Sequence, residues 1–312
     1  MELTKKRKSQ MPKSDLIFYI CLIVLPVIQI IIFYFAVNIK SILMAFQRYD
    51  TNTYSYVFNG FNTFKSMFSE FGTKLIYGAQ NSLLSYAIGL VISTPLHLLF
   101  SYYVYKNSLG GGFFKVMLFI PTIIPATTMC SIYLELGNKA WPIIGEVLTG
   151  TPFPQLGTMD RWGIFFFITI LGMIIGFGAN IIMYTSAMSG IDQSLVEACE
   201  IDGASPMQEF IHVTIPMIWP TFATYITVGV ASIFQNQMHL FTLFGAELPQ
   251  PDIPTIGYIL FAGVANADGQ SLTIARMNYP NLAAQGLFFT LIAIPMVYGV
   301  KALLAKIGPK VY

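Results

Sequence analysis

Residues 16–39 read LIFYICLIVLPVIQIIIFYFAVNI, 24 consecutive positions without an Asp, Glu, Lys or Arg. About 20 apolar residues at 1.5 Å rise cross the roughly 30 Å hydrocarbon layer of a bilayer, so this stretch is long enough to span one. Five more charge-free gaps of 19 residues or more follow, at Leu75–Tyr105, Val116–Leu134, Trp162–Ile191, Phe210–Ala246 and Met277–Val300. Lipid offers no partner to an open backbone group, so each gap is expected to be helical. The membrane cores are placed near 16–38, 82–104, 114–136, 163–188, 220–244 and 283–304. The rest of the composition agrees. Of 312 residues, 55% are hydrophobic and only 10% charged, against about 25% charged in a soluble domain. A disordered chain is excluded, and a cytosolic enzyme is disfavoured. A net charge of +2 gives nothing with which to neutralise phosphates, so no nucleic-acid partner is expected. The fold class is all-α, a polytopic membrane protein with six transmembrane helices surrounded by membrane lipid.

Lys and Arg set the orientation. The basic head, residues 1–15, holds Lys5, Lys6, Arg7, Lys8 and Lys13, and with it inside, the inner segments carry 10 basic residues in about 65 positions and the outer ones 7 in about 105. Both ends are therefore expected in the cytoplasm, flanking a six-helix domain at 16–304, with a short tail at 305–312. The first apolar stretch contains Pro26 and lacks a small-residue cleavage site, so it is read as a retained helix rather than a signal peptide. Cys21 and Cys130 fall in spans and Cys199 in an inner loop, so neither disulfides nor a cysteine metal site is expected. One inner loop, 189–218, breaks the charge pattern: it has five acids and no Lys or Arg.

That loop carries two helix starts. Ser194 with Glu197 fits a capping box, and Ser205 with Pro206 and Gln208 fits a second one. Gly203 stands where a left-handed stop is needed between them. Leu195, Val196, Cys199, Met207, Phe210 and Ile211 supply short apolar faces beside Glu197, Glu200, Asp202 and Glu209. Such an elbow can dock a soluble partner with a basic-rimmed apolar groove, or its apolar faces can rest on the chain's own helix ends. Capping chemistry alone leaves both open.

The pattern Glu197-Ala198-Cys199, then Asp202-Gly203-Ala204, then Val213-Thr214-Ile215-Pro216 resembles the EAA loop of ABC-importer permeases (E-A-A, three residues, G, nine residues, I-x-L-P). Cys199, Val213 and Ile215 depart from it by small or apolar swaps. The Asp before the glycine and the spacing to Phe210 are similar to the carbohydrate branch, the maltose, glycerol-phosphate and oligosaccharide permeases. Phe18 to Pro26, Asn81-Ser82, and Phe113-Phe114-Lys115 through Pro121 and Pro125 extend the resemblance at lower specificity, and Asp192 stands where that family usually has Pro. The resemblance implies a type I importer permease fold in the plasma membrane. It implies translocation of a carbohydrate, an oligosaccharide or related sugar, with energy from a separate ATPase, so the chain itself is not an enzyme. The implied partners are a second permease, a cytoplasmic ATPase dimer and an extracellular solute-binding protein. The ATPase-coupling residues carried over are Glu197, Ala198, Asp202, Gly203, Ala204, Phe210 and Pro216, with Glu197 paired to a basic residue of the ATPase and Gly203 at the inserted turn.

Polar groups inside spans are costly and mark solute paths. In the expected fifth span, Ser232, Gln235, Asn236 and His239 follow helical offsets of +3, +4 and +7, and Tyr225 joins them seven residues earlier. Tyr225, Ser232, Gln235 and Asn236, with Gly176 from the fourth span, are the candidate substrate pathway. Amides and hydroxyls beside aromatics suit an uncharged polyhydroxylated solute; helix-to-helix hydrogen bonding is the competing role. In the second span, Ser82, Tyr86, Gly89, Ser93 and His97 form a weaker stripe, in which His97 is read as a satisfied packing residue rather than a proton relay. Gly172 and Gly176 stand at small-xxx-small spacing, read plainly as a close helix contact and functionally as a gap opened for a bulky ligand, with Asn180 one turn further on. Gly110-Gly111-Gly112 is read as a tight turn, and no Walker A loop, zinc-protease motif or nucleophile elbow occurs. No cofactor or metal is expected. A self-contained secondary transporter of a polar solute is the alternative; it would need intramembrane acid or base pairs, and the spans hold no Asp, Glu, Lys or Arg near their middles.

Overall fold

The computed structural model describes residues 13–268 and 272–309. Most of the basic head, including Lys5 to Lys8, and Lys310 of the tail lie outside the described residues. The chain forms helix α1 at Asp15–Met44, then a hairpin of β1 (Gln47–Asp50) and β2 (Ser55–Phe58). Helix α2 runs over 62–105 with a π-helical stretch at Gly89–Ser93. Next come α3 (Gly111–Ile123), α4 (Ala126–Thr149) and α5 (Arg161–Met188). The acidic loop holds α6 (Gln193–Ile201) and α7 (Pro206–Met217). Then follow α8 (Trp219–Ala231), α9 (Leu240–Phe244), α10 (Ile256–Asp268) and α11 (Leu272–Ile307).

Among the described residues four helices are long and apolar enough to cross a membrane singly, and six spans result only when two bent pairs are counted as one each. α1 is exposed along its whole apolar length. A helix apolar on all sides is stable only in lipid or against another chain. α2, α5 and α11 stand where the sequence places them, each longer than its charge-free core.

Two spans differ from expectation. The single helix expected at 114–136 is broken: α3 and α4 meet at 95°. Ile124 is extended (ψ 132°) before Pro125, as the clash of a proline ring with its preceding residue requires. α4 then runs through part of the expected outer loop to a left-handed Gly150. The fifth span, expected at 220–244, also fails as one helix. α8 ends at Ala231, and residues 232–239 form turns. Asn236 Oδ1 accepts from the Met238 amide at 2.8 Å, and Met238 and His239 are left-handed. An Asn side chain that bonds its own backbone two residues on competes directly with helix formation. The helical offset linking Ser232 to His239 therefore does not hold, although the Gln235 and Asn236 amides still donate to the Ser232 carbonyl at 3.0 and 3.1 Å.

Packing against α11 and α2, α10 fills part of what the sequence reads as an outer loop. Its start is tied to α2: Asn81 Nδ2 donates to the Asp252 and Pro254 carbonyls at 2.8 and 2.9 Å. The Ile256 amide donates to Ser82 Oγ at 3.1 Å. Arg161, opening α5, donates to Asn81 Oδ1 at 3.0 Å and faces Asp252 at 3.5 Å. The two carboxamide faces of Asn81 thus join three segments at one end of the bundle.

The close helix contact lies elsewhere than expected. A Cβ at Gly172 meets nothing within 4 Å, and at Gly176 only the Asn180 amide at 3.7 Å. At Gly178 it falls 2.5 Å from the Leu118 carbonyl and 2.6 Å from the Phe119 backbone, so Gly178 is the glycine that lets α5 cross α3. Gly178→Ala is expected to cost about 1–3 kcal/mol by overpacking and lower the thermal midpoint of the solubilised protein, whereas Gly172→Ala leaves it within experimental error.

Candidate functional site

The acidic loop at 189–218 folds as an elbow. Asp192, not Ser194, caps α6: its Oδ1 accepts from the Ser194 amide at 3.0 Å, and that bond holds its carboxyl below the usual carboxylate range. The second capping box is as expected. Ser205 N–H donates to Gln208 Oε1 at 2.7 Å, and Gln208 N–H to Ser205 Oγ at 3.4 Å. Gly203, at φ +73°, makes the turn between the helices.

The elbow's two faces have separate destinations. Val196 and Phe210 pack under the loop with Leu98, Tyr184, Met188, Ile191 and Ile218, which is the self-packing alternative. The Phe210 ring lies 4.9 Å from that of Tyr102, whose hydroxyl donates to the Pro206 carbonyl at 3.0 Å. Pro216 is half-buried. Ile201 is 85% exposed, and Leu195, Met207 and Ile211 are exposed as well. Glu197, Ala198, Asp202 and Gly203 share this open face, with Ala204 half-buried at its edge. Among the described residues nothing pairs with Glu197.

One residue the sequence counted only as an inner charge fastens the elbow. Lys106, just past α2, donates to Glu209 Oε2 at 3.0 Å and Oε1 at 3.3 Å, and to Glu200 Oε1 at 3.2 Å. Burial alone would depress its pKa, but the bonds to Glu209 and Glu200 outweigh that and raise it. The Glu209 side chain is 4% exposed, that of Glu200 61%. The two bonds therefore differ in weight: an exposed pair contributes about 0–1 kcal/mol, while stripping the partner from a buried charge costs several.

Between α2, α5, α8 and the 232–239 turn lies a cavity of about 420 Å³. Of the candidate pathway residues, Tyr225, Ser232, Asn236 and Gly176 line it, and Gln235 does not. The second-span stripe of Ser82, Tyr86, Gly89, Ser93 and His97 lines it too, as do Gly172, Asn180 and His239. The stripe that looked weaker in sequence thus faces the same cavity, and its i, i+4 spacing was the available signal. No Asp, Glu, Lys or Arg is among the lining residues. Tyr86 spans the cavity edge, donating to the Ile226 carbonyl at 3.0 Å. Among the described residues no three His, Cys, Asp or Glu side chains group to hold a metal.

Lys106→Met is expected to destabilise the protein by about 3–5 kcal/mol, because Glu209 is left buried without a partner, and Glu200→Gln by less than about 1 kcal/mol. Thermal unfolding of both variants in detergent checks the ordering.

No family model matches the chain. The multiple sugar-binding transport system permease protein MsmF of Streptococcus mutans is 24% identical over 249 residues, 77% of this chain and 81% of the relative. The arabinooligosaccharides transport system permease protein AraP of Bacillus subtilis is 25% identical over 247 residues, 77% and 76% of the two. A probable ABC transporter permease protein of Mycoplasma pneumoniae is 26% identical over 173 residues, and there the chain spans about half (52%) of the relative's length. Among solved structures, a chain of a bacterial ABC transporter involved in the import of the acidic polysaccharide alginate superposes with TM-score 0.72 at 18% identity, over 95% of this chain and 98% of that one. The chain is thus similar in sequence to permease proteins of sugar ABC transporters, and it has the fold of a chain of an ABC importer.

Proposed function

We propose that this chain is a transmembrane permease subunit of an ATP-binding cassette importer, carrying an uncharged carbohydrate across the plasma membrane with energy from a separate ATPase. The observation that carries this reading is the elbow at 192–217. It presents an exposed apolar and acidic face, while its opposite face is fastened to the bundle through a buried charge. A surface built this way suits a soluble partner with an apolar groove and basic residues, and an ATPase pair is the partner that the permease relatives point to.

In this mechanism the elbow moves as a rigid lever when the ATPase pair closes on ATP, and the spans rock between inward and outward openings around the cavity. Glu197, Ala198, Asp202 and Gly203 form the contact face. Phe210 and Pro216 serve from the other side, seating the elbow on its own bundle. ATP is hydrolysed on the partner, and this chain performs no chemistry. A second, similar permease completes the path, and an external solute-binding protein delivers the solute at the outer loops. Both chain ends are cytoplasmic.

Tyr225, Ser232, Asn236 and Gly176 belong to the substrate path with the second-span stripe. A cavity without formal charges, lined by hydroxyls, amides and aromatic rings, favours neutral polyhydroxylated solutes over sugar acids or sugar phosphates. Gln235 is left out of the proposed path because it is not among the residues lining the cavity.

The test is a pull-down of the partner ATPase from membranes with Glu197→Lys and Ile201→Asp, both on the exposed face. Each variant is expected to accumulate normally, to lose ATPase co-purification at least tenfold and to abolish sugar uptake. Full ATPase binding with continued uptake in both variants contradicts the proposal.

A further inference from the structure

We propose that the second half of α4, residues 136–149, is an arm that lies along the lipid headgroup layer beside the bundle, with Ile143, Ile144, Val147 and Leu148 seated in the upper acyl region. Its partner is the bilayer surface, whichever solute the chain carries. The geometry starts from the bend: α4 meets α3 at 95°. α3 packs against the 28-residue span α5, and Thr122 Oγ1 donates across that contact to the Ile175 carbonyl at 3.2 Å. A helix perpendicular to a spanning one runs in the plane of the membrane. α4 does so near the start of α5, where Tyr133 and Phe167 have ring centroids 4.7 Å apart and Gly137 fits against Phe167 and Leu156. The elbow follows the other end of α5, about 40 Å away along the helix.

The arm has one covered side and one open side. After the left-handed Gly150 the chain folds back along it. Phe153 sits so close to Gly145 that a Cβ there has no room, and its ring lies 5.1 Å from that of Trp141. Ile144, Val147 and Leu148 stand one, four and five positions after Ile143, which puts the four on one side of the helix, away from Gly145. All four are exposed, Val147 by 79% and Leu148 by 72%. Glu146 is exposed as well, off that stripe. A helix with an open, wholly aliphatic side needs an apolar surface to lie on.

Lipid fits that side better than a protein does. Trp162, exposed at the start of α5, and Trp141, on the arm, are two of the chain's three tryptophans. With Arg161 and Lys139 beside them they form the set of residues that collects at headgroup depth. The open side offers only aliphatic groups, without the aromatic or arginine anchors that centre protein interfaces. Charge then narrows the kind of lipid surface. Lys139 is the one Lys or Arg in residues 126–160, and it is bonded to Glu135 at 2.7 Å. The arm therefore presents no basic face to anionic headgroups. It attaches by apolar burial, for which zwitterionic lipid suffices.

The test uses the full chain, purified with its partner subunits and reconstituted in vesicles of phosphatidylcholine, with and without phosphatidylglycerol. Spin labels are placed at Val147→Cys, Leu148→Cys and Glu146→Cys in a chain carrying Cys21→Ser and Cys199→Ser; Cys130 is buried and stays. Power saturation compares collisions with oxygen, which concentrates in lipid, and with a water-soluble nickel chelate. The oxygen-to-nickel ratio at 147 is expected to exceed that at 146 by at least about threefold in both kinds of vesicle. The label at 148 repeats the measurement if the one at 147 prevents assembly. A ratio equal to that at 146 means open water and overturns the proposal. Labels closed to both reagents mean a protein neighbour and overturn it too. A raised ratio seen only with phosphatidylglycerol overturns attachment by apolar burial.

Discussion

A buried carboxylate has to find a partner, and in this chain that demand decides where the inner elbow sits. Glu209 is nearly sealed from solvent and is bound by Lys106 through both carboxylate oxygens. Lys106 directly follows α2, the same helix whose stripe from Ser82 to His97 lines the cavity. One helix therefore carries the cavity wall at its middle and the elbow's anchor at its end. Tyr102 adds a ring contact and a hydrogen bond to α7 one turn earlier. A displacement of the elbow cannot leave α2 behind without unpairing a buried charge, so the lever proposed for ATP-driven movement reaches the cavity directly.

The second constraint comes from the membrane. Irregular backbone at membrane depth is tolerated only where protein buries it or where it borders a polar cavity. Residues 232–239 meet that condition, with Ser232, Asn236 and His239 on the lining. Thr255 Oγ1 braces the turn by donating to the Asn236 carbonyl at 2.9 Å. The Asn81, Arg161 and Asp252 contacts hold the start of α10 beside it. The helix break is thus a supported feature, and it adds polar backbone and side chains to a cavity that three straight helices would line more sparsely.

Much of this was legible in the sequence. Charge-free length located α1, α2, α5 and α11, because bilayer thickness imposes a number that can be counted. Gly203 and the Ser205-Gln208 box were readable because capping is local chemistry. The breaks at Pro125 and Asn236 were not separated from continuous spans, since charge counting ignores backbone competition. The Pro125 break had a visible cause in its own dipeptide; the Asn236 turn depended on whether an amide would bond its own backbone. Gly172 and Gly176 matched a packing spacing and yet face open space, while Gly178, two residues on, makes the contact; spacing alone cannot tell which helix face meets a neighbour. Lys106 was beyond reach, since nothing local links residue 106 to residue 209. For His97, the sequence assigned a satisfied packing role. Packing was right, since the ring rests on Phe177, and satisfaction was not, since neither ring nitrogen has a hydrogen-bond partner among the described residues; only the surrounding atoms reveal that distinction.

The most direct test of the central claim is the number of solute molecules carried per ATP hydrolysed by the reconstituted importer with Lys106→Met. If the ion pair with Glu209 transmits elbow movement to α2, hydrolysis continues while the transport ratio falls at least tenfold. An unchanged ratio, with the elbow still seated on its ATPase, would contradict the account.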